Sequence, residues 1–102
     1  MEKLFVYGTL QDSRIQKLVI GRSQEGGQNV LEGYRKEEIK IEDEHYPILV
    51  PDPKKSVSGK VLLVTPEELK AIDEYETRIY KRITVTLKDG AKAWVYASAA
   101  DI

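Results

Sequence analysis

Val6-Tyr7-Gly8-Thr9-Leu10 runs a buried strand into a loop, with a glycine where the chain changes direction. The strand is Leu4-Phe5-Val6-Tyr7, a short, continuous apolar run that suits a central strand covered on both faces. Its counterpart lies far along the chain, at Thr65-Pro66-Glu67-Glu68. There Thr caps a helix, Pro takes the first position and Glu68 completes a capping box. The helix is predicted over 66–76. The two segments together outline a small pocket, with backbone donors on one side and an inward carboxylate on the other.

That carboxylate follows from helix geometry. With Leu69 at zero, Ile72 falls at about 300° and Glu76 at about 340°, on the same apolar side. Asp73 falls near 40°, at the border, and Glu74 near 140°, towards water. The core-facing stripe thus finishes in Glu76 as the helix ends. Burial without a cation would raise its pKa and make it a proton carrier. Two alternatives stand beside this reading. The helix can fray before Glu76, or Glu76 can pair with Arg78 or Arg82. Tyr7, Tyr75, Tyr80 and Tyr96 likewise read as core or rim residues as readily as ligand contacts.

Between and beyond these anchors the local signals alternate. Asp12 or Ser13 can cap a short helix through Ile20, with Ile15, Leu18 and Val19 at helical spacing and Gly21 as the stop. Residues 29–41 read as a strand bent at Gly33. Tyr46-Pro47-Ile48-Leu49-Val50-Pro51 is an extended segment that its prolines confine to an edge or rim. The stretch 56–64 is a further strand, with Val57, Gly59, Val61 and Leu63 on one face. Residues 80–87 alternate, and Asp89-Gly90 turns the chain into a last strand over 92–97. About six strands and two short helices predict an α+β domain over 1–102, a mixed, mostly closed β-barrel with a cavity at one mouth.

Composition excludes several function classes. Sixteen basic against seventeen acidic residues leave a net charge of −1, so no basic face for nucleic acid is expected. Basic residues also fail to interleave with aromatics as a base-stacking groove requires. With no cysteine there is no disulfide, thiolate nucleophile or Cys-based zinc site. The one histidine, His45, follows the acidic turn Glu42-Asp43-Glu44 and reads as a solvated loop residue. No apolar run approaches the roughly 18 residues that span a bilayer, and the N-terminus has no signal-peptide pattern. A cytoplasmic protein is expected. Charged residues at 32%, no Cys and one Met also fit a thermophilic source.

Val6-Tyr7-Gly8-Thr9-Leu10 taken with Ile72-Asp73-Glu74-Tyr75-Glu76 and Tyr80-Lys81-Arg82 resembles the gamma-glutamylcyclotransferase-like superfamily, in its small gamma-glutamylamine cyclotransferase and avirulence-induced-protein-like branch. Tyr46-Pro47, Gly59 with Val61, and Trp94-Val95-Tyr96 add to the likeness. The resemblance implies a small barrel flanked by helices and an enzyme that needs no cofactor. In the family reaction the α-amine of a γ-glutamyl unit attacks its own side-chain carbonyl, releasing an amine and 5-oxoproline. By the same resemblance Glu76 is the general acid/base. Tyr7, Gly8, Thr9 and Leu10 would hold the substrate carboxylate through backbone amides, and Tyr80 and Tyr96 would offer hydroxyl contacts. Arg82 would sit against the substrate, the helix–strand corner or the charge of Glu76. The partner implied is a small γ-glutamyl molecule, with no nucleic acid, membrane or metal. Two stretches depart from the family pattern, Gln11-Asp12-Ser13 and Thr77-Arg78 in place of a glycine after the acid. Both are expected to shape the cavity mouth. A non-catalytic module that binds a small carboxylate on the same fold is the competing expectation.

Overall fold

The computed structural model describes residues 1–99. Along them run β1 (Glu2–Val6), α1 (Ser13–Ile20), β2 (Gly27–Ile41), β3 (Glu44–Val64), α2 (Pro66–Glu76), β4 (Tyr80–Thr86) and β5 (Lys92–Ser98). Short 3-10 turns follow β1 and α2, at Thr9–Gln11 and Thr77–Ile79. The strands form one curled sheet in the order β2-β3-β1-β5-β4. Neighbours are antiparallel except β1 and β5, which run parallel with Leu4 opposite Trp94. At one point the curl nearly closes, where the Lys88 N–H donates to the Val30 carbonyl across 2.8 Å. The result is a half-barrel with two helices, the expected α+β class.

The expected strand count is corrected from about six to five. The segments 46–51 and 56–64 are one long strand, β3. Its first part pairs only with β2, Pro47 opposite Glu38 and Pro51 opposite Tyr34. Only its last part, over 60–64, also pairs with β1. The prolines therefore lie on an arm with one neighbour, where a missing N–H costs no ladder bond on the open side. The bend expected at Gly33 is present as a register shift between Glu32 and Tyr34, with φ of +87° at the glycine.

Strand β1 has apolar cover on both sides. Leu4 and Val6 join Leu62, Val64, Leu69 and Ile72 beneath the helices. Phe5 and Tyr7 join Leu31, Leu49, Val57, Val85 and Val95 inside the curl. At Gly59 the β1 backbone comes too close for any side chain: a Cβ would lie 2.7 Å from Phe5 Cζ and nearer still to the Val6 carbonyl oxygen. Two expectations fail at the margins. Leu18, predicted for the buried face of α1, is 82% exposed, and Gln16 takes the buried place instead. Leu63 stands 45% exposed at the rim, because β3 reaches the end of its covered face there.

Candidate active site

A cavity of about 320 Å³ opens between the loop after β1, the C-terminal end of α2 and the proline arm of β3. Its wall is largely aromatic: Phe5, Tyr7, Tyr46, Tyr75, Tyr80 and Tyr96, with Pro47. Gly8, Thr9 and Leu10 line one side, and Glu76 and Thr77 the other. Of the candidate residues read from the sequence, Arg82 alone is absent from this wall.

The loop is held from outside the cavity. Buried Gln16 donates from Nε2 to the Leu10 carbonyl at 2.8 Å and accepts the Gln24 N–H at 2.7 Å. Lys36 Nζ donates to the Tyr7 carbonyl at 3.1 Å. The Gln11 and Asp12 N–H groups donate to the Gly8 and Thr9 carbonyls, closing the turn. Among the described residues the Thr9 and Leu10 N–H groups have no partner, as is usual for the donors that open such a turn. Gly8 packs against the arm, where a Cβ would lie 3.4 Å from Pro47 Cγ. The Thr9 hydroxyl and the Tyr75 hydroxyl share a 2.7 Å hydrogen bond that joins the loop to α2 across the mouth. The stretch Gln11-Asp12-Ser13 does not shape that mouth as expected. Asp12 caps α1 instead, accepting the Arg14 N–H.

Helix α2 carries Glu76 into the cavity as the wheel predicts. Leu69 and Ile72 anchor its apolar stripe in the core beneath the sheet. Glu76 continues the stripe past the edge of that core. Burial pushes its carboxyl up to about 7. No ion pair to Glu76 occurs among the described residues, because Arg82 is engaged elsewhere. Its guanidinium donates to both carboxylate oxygens of Asp73, at 3.0 and 3.2 Å, and lies 4.4 Å over the Trp94 ring. Of the places the sequence left open for Arg82, it takes the helix–strand corner, and it lies outside the cavity lining. Asp73 sits one turn before Glu76 and intercepts the cation.

The three innermost tyrosines have spent their protons. Tyr96 donates to Asp73 Oδ1, Tyr7 to the Tyr96 carbonyl and Tyr80 to the Pro47 carbonyl, each at 2.6 Å. Burial chiefly holds all three phenols well above their ordinary range, with Asp73 adding to it at Tyr96 and Glu76 at Tyr80. They stay protonated at neutral pH. Their oxygens retain lone pairs only, so these three phenols can accept hydrogen bonds but not donate them. The other side of the cavity is lined by the loop residues Gly8, Thr9 and Leu10.

Sequence reading missed the parts played by His45 and Lys36 and the backbone conformation of Thr77, whose place at the cavity it expected. His45 reaches the outer lining while remaining largely solvated, 3.6 Å from Glu38. Lys36 reaches the loop only because of the β2 register, which no local signal reveals. Thr77 has φ of +63° and ψ of −167°, a region that is nearly glycine's alone. A β-branched residue there costs on the order of 1–3 kcal/mol. The glycine missing from the family pattern was the available clue. Among the described residues no His, Asp and Glu cluster could hold a metal ion, and no helix is long and apolar enough to cross a membrane.

Comparison with known proteins agrees with this architecture. The family described as "Gamma-glutamyl cyclotransferase, AIG2-like" matches residues 4–101. AIG2-like protein A of Arabidopsis thaliana is 31% identical over 99% of this chain and 65% of its own length. AIG2-like protein C of the same plant is 37% identical over 80% of this chain and 47% of its own length. The chain thus spans about half to two-thirds of these relatives. A solution structure of an Arabidopsis thaliana protein superposes with a TM-score of 0.82 at 32% identity, covering 98% of this chain and 71% of that one. A gamma-glutamyl cyclotransferase structure shares the fold at a TM-score of 0.79 and 15% identity, covering 96% of this chain and 66% of that one. The chain belongs to the AIG2-like gamma-glutamyl cyclotransferase family.

Proposed function

We propose that this chain is a cofactor-independent cyclotransferase that converts a γ-glutamyl amine to 5-oxoproline and the free amine. The observation that carries the reading is Glu76: a carboxyl pushed to about 7 by burial, in a cavity also lined by the Gly8–Leu10 loop. Membership of the family supports it.

The chemistry follows from the groups that line the cavity. The substrate carboxylate takes the N–H groups of the Gly8 loop. Its α-ammonium faces Glu76 and the acceptor oxygens of Tyr7, Tyr80 and Tyr96. An ammonium has no lone pair to attack with, so Glu76 removes one proton. The freed nitrogen adds to the side-chain carbonyl carbon, forming the new C–N bond of a five-membered ring. Glu76 then passes its proton to the departing nitrogen, and the old C–N bond breaks. The second proton shed by the ring nitrogen leaves on the released amine, which departs as its ammonium form. No proton is gained or lost overall, and no co-reactant is needed. A carboxyl near 7 can hold or yield a proton with little cost at neutral pH, which favours both halves of the cycle. Holding amine and carbonyl together supplies the remaining advantage, because the attack is intramolecular.

The test is direct. Wild-type protein incubated with a panel of γ-glutamyl amines and γ-glutamyl amino acids yields 5-oxoproline, and Glu76→Gln yields none while keeping its circular dichroism spectrum. Turnover by Glu76→Gln at the wild-type rate removes Glu76 from the mechanism. Binding of panel members without turnover by wild type leaves the carboxylate-binding module in its place.

A further inference from the structure

We propose that Thr77 is a specificity-determining residue that contacts the substituent of the leaving amine at the cavity mouth. The inference rests on the cyclotransferase reading and concerns the half of the substrate which that reading leaves unspecified.

Three observations converge on this side chain. It lines the cavity directly after Glu76 in the chain and is itself exposed. Its backbone is held in a conformation that suits glycine, although the Thr77 N–H still caps α2 by donating to the Asp73 carbonyl. No group among the described residues hydrogen-bonds its hydroxyl. The surroundings impose that conformation. Asp73 is pinned by Arg82 and Tyr96, and the turn after Thr77 is tied down by the Ala99 N–H on the Ile79 carbonyl. A residue kept in an unfavourable conformation with a spare polar group at a ligand site points to a contact made only when ligand is bound.

The reaction geometry says which contact. One carboxyl must serve both the attacking and the departing nitrogen, so the departing nitrogen lies within hydrogen-bond reach of Glu76. Its substituent must lead outward to the mouth. Thr77, next to Glu76 in the chain and on the same cavity wall, has a hydroxyl that can both donate and accept. Elsewhere the phenols of Tyr7, Tyr80 and Tyr96 only accept. Leaving amines with a polar group close to the nitrogen, such as amino acids or hydroxyalkylamines, are therefore favoured over plain alkylamines of the same size.

The experiment compares wild type with Thr77→Gly, Thr77→Ala and Thr77→Ser on γ-glutamyl-alkylamines and γ-glutamyl-hydroxyalkylamines of matched length. Thr77→Gly and Thr77→Ala are expected to lower the polar-to-alkyl ratio of kcat/KM by about tenfold, the value of one hydrogen bond. Thr77→Ser restores the ratio, and the pH profile keeps its limb near 7 in every variant. A ratio unchanged within twofold in both Thr77→Gly and Thr77→Ala overturns the proposal and leaves a purely conformational feature. Dissociation constants for the same panel on Glu76→Gln and its Thr77 double variants, by calorimetry, separate the two claims. If wild type turns over no panel member, the cyclotransferase reading fails, and the calorimetric ratio alone decides Thr77. An unchanged calorimetric ratio then overturns it.

Discussion

The two ends of helix α2 carry glutamates in opposite circumstances. At the first turn Glu68 accepts two hydrogen bonds from Arg22, at 2.7 and 2.8 Å, and the Thr65 N–H at 2.9 Å. These partners, Arg22 foremost, hold its carboxyl at about 2. At the last turn Glu76 has no ion pair among the described residues, and burial drives it to about 7. The first end also obeys every capping rule, while the second ends in a threonine at φ +63°. Local preference is satisfied where the helix is merely held and overridden where it faces the cavity. The contrast argues that the C-terminal turn is shaped by its site and the N-terminal turn by stability.

The sharpest way to break this contrast is through activity. Glu76→Gln should lower turnover by at least about 100-fold, as loss of a positioned acid/base does. Glu68→Gln should leave kcat within a few-fold, read in the same 5-oxoproline assay. Comparable losses in both would dissolve the distinction.

The pH dependence of stability should separate the glutamates by sign. A folded pKa raised from 4.5 to about 7 means that wild type loses stability as pH rises through that window, because the charged form is buried. Glu76→Gln should therefore match wild type near pH 4 and exceed it above pH 8, by about 3 kcal/mol at most. Glu68 has a depressed pKa, so its contribution is present above 4.5 and vanishes as pH falls towards about 2. Denaturant melts of both variants from pH 3 to 9 would show the differences opening in opposite directions.

The wild-type pH profile sharpens the same point. The acidic limb of kcat/KM should bend near pH 7 and follow the ionisation of Glu76. A limb near 4.5 would mean that the carboxyl is not desolvated in the working enzyme.

The smallest effects compare the caps. Thr65→Ala should cost about 1 kcal/mol by leaving helix N–H groups unpaired. Thr77→Gly should instead stabilise by about 1 kcal/mol, raising Tm by roughly 4–8 °C. A loss of stability in Thr77→Gly would mean that the threonine makes a contact worth more than the strain.

Much of the frame was legible because its signals act over a few residues. The capping box at Thr65 and Glu68, the Gly21 stop, the bulge at Gly33 and the turn at Asp89-Gly90 are all found where their local chemistry requires them. The inward course of Glu76 was legible too, since helical periodicity needs no partner to be computed. Arg82 was not. On the helical wheel both Asp73 and Glu76 are candidate partners for it, and only packed positions decide that Asp73 takes it. Gln16 for Leu18 has the same origin, since a buried glutamine is tolerable only once the Leu10 carbonyl and the Gln24 N–H are in place to satisfy it.

The sequence by itself determined the helices, the strand-to-glycine turn and the face on which the carboxylate emerges, because propensity, capping and periodicity are short-range. Only the tertiary structure decided what that carboxylate meets. The fusion of β3 into one strand, the Lys36 hold on the loop and the commitment of three tyrosine protons to distant acceptors depend on register between segments far apart in the chain. Pairing across such distances is chosen by the packing of the whole sheet, and no stretch of neighbouring residues encodes it.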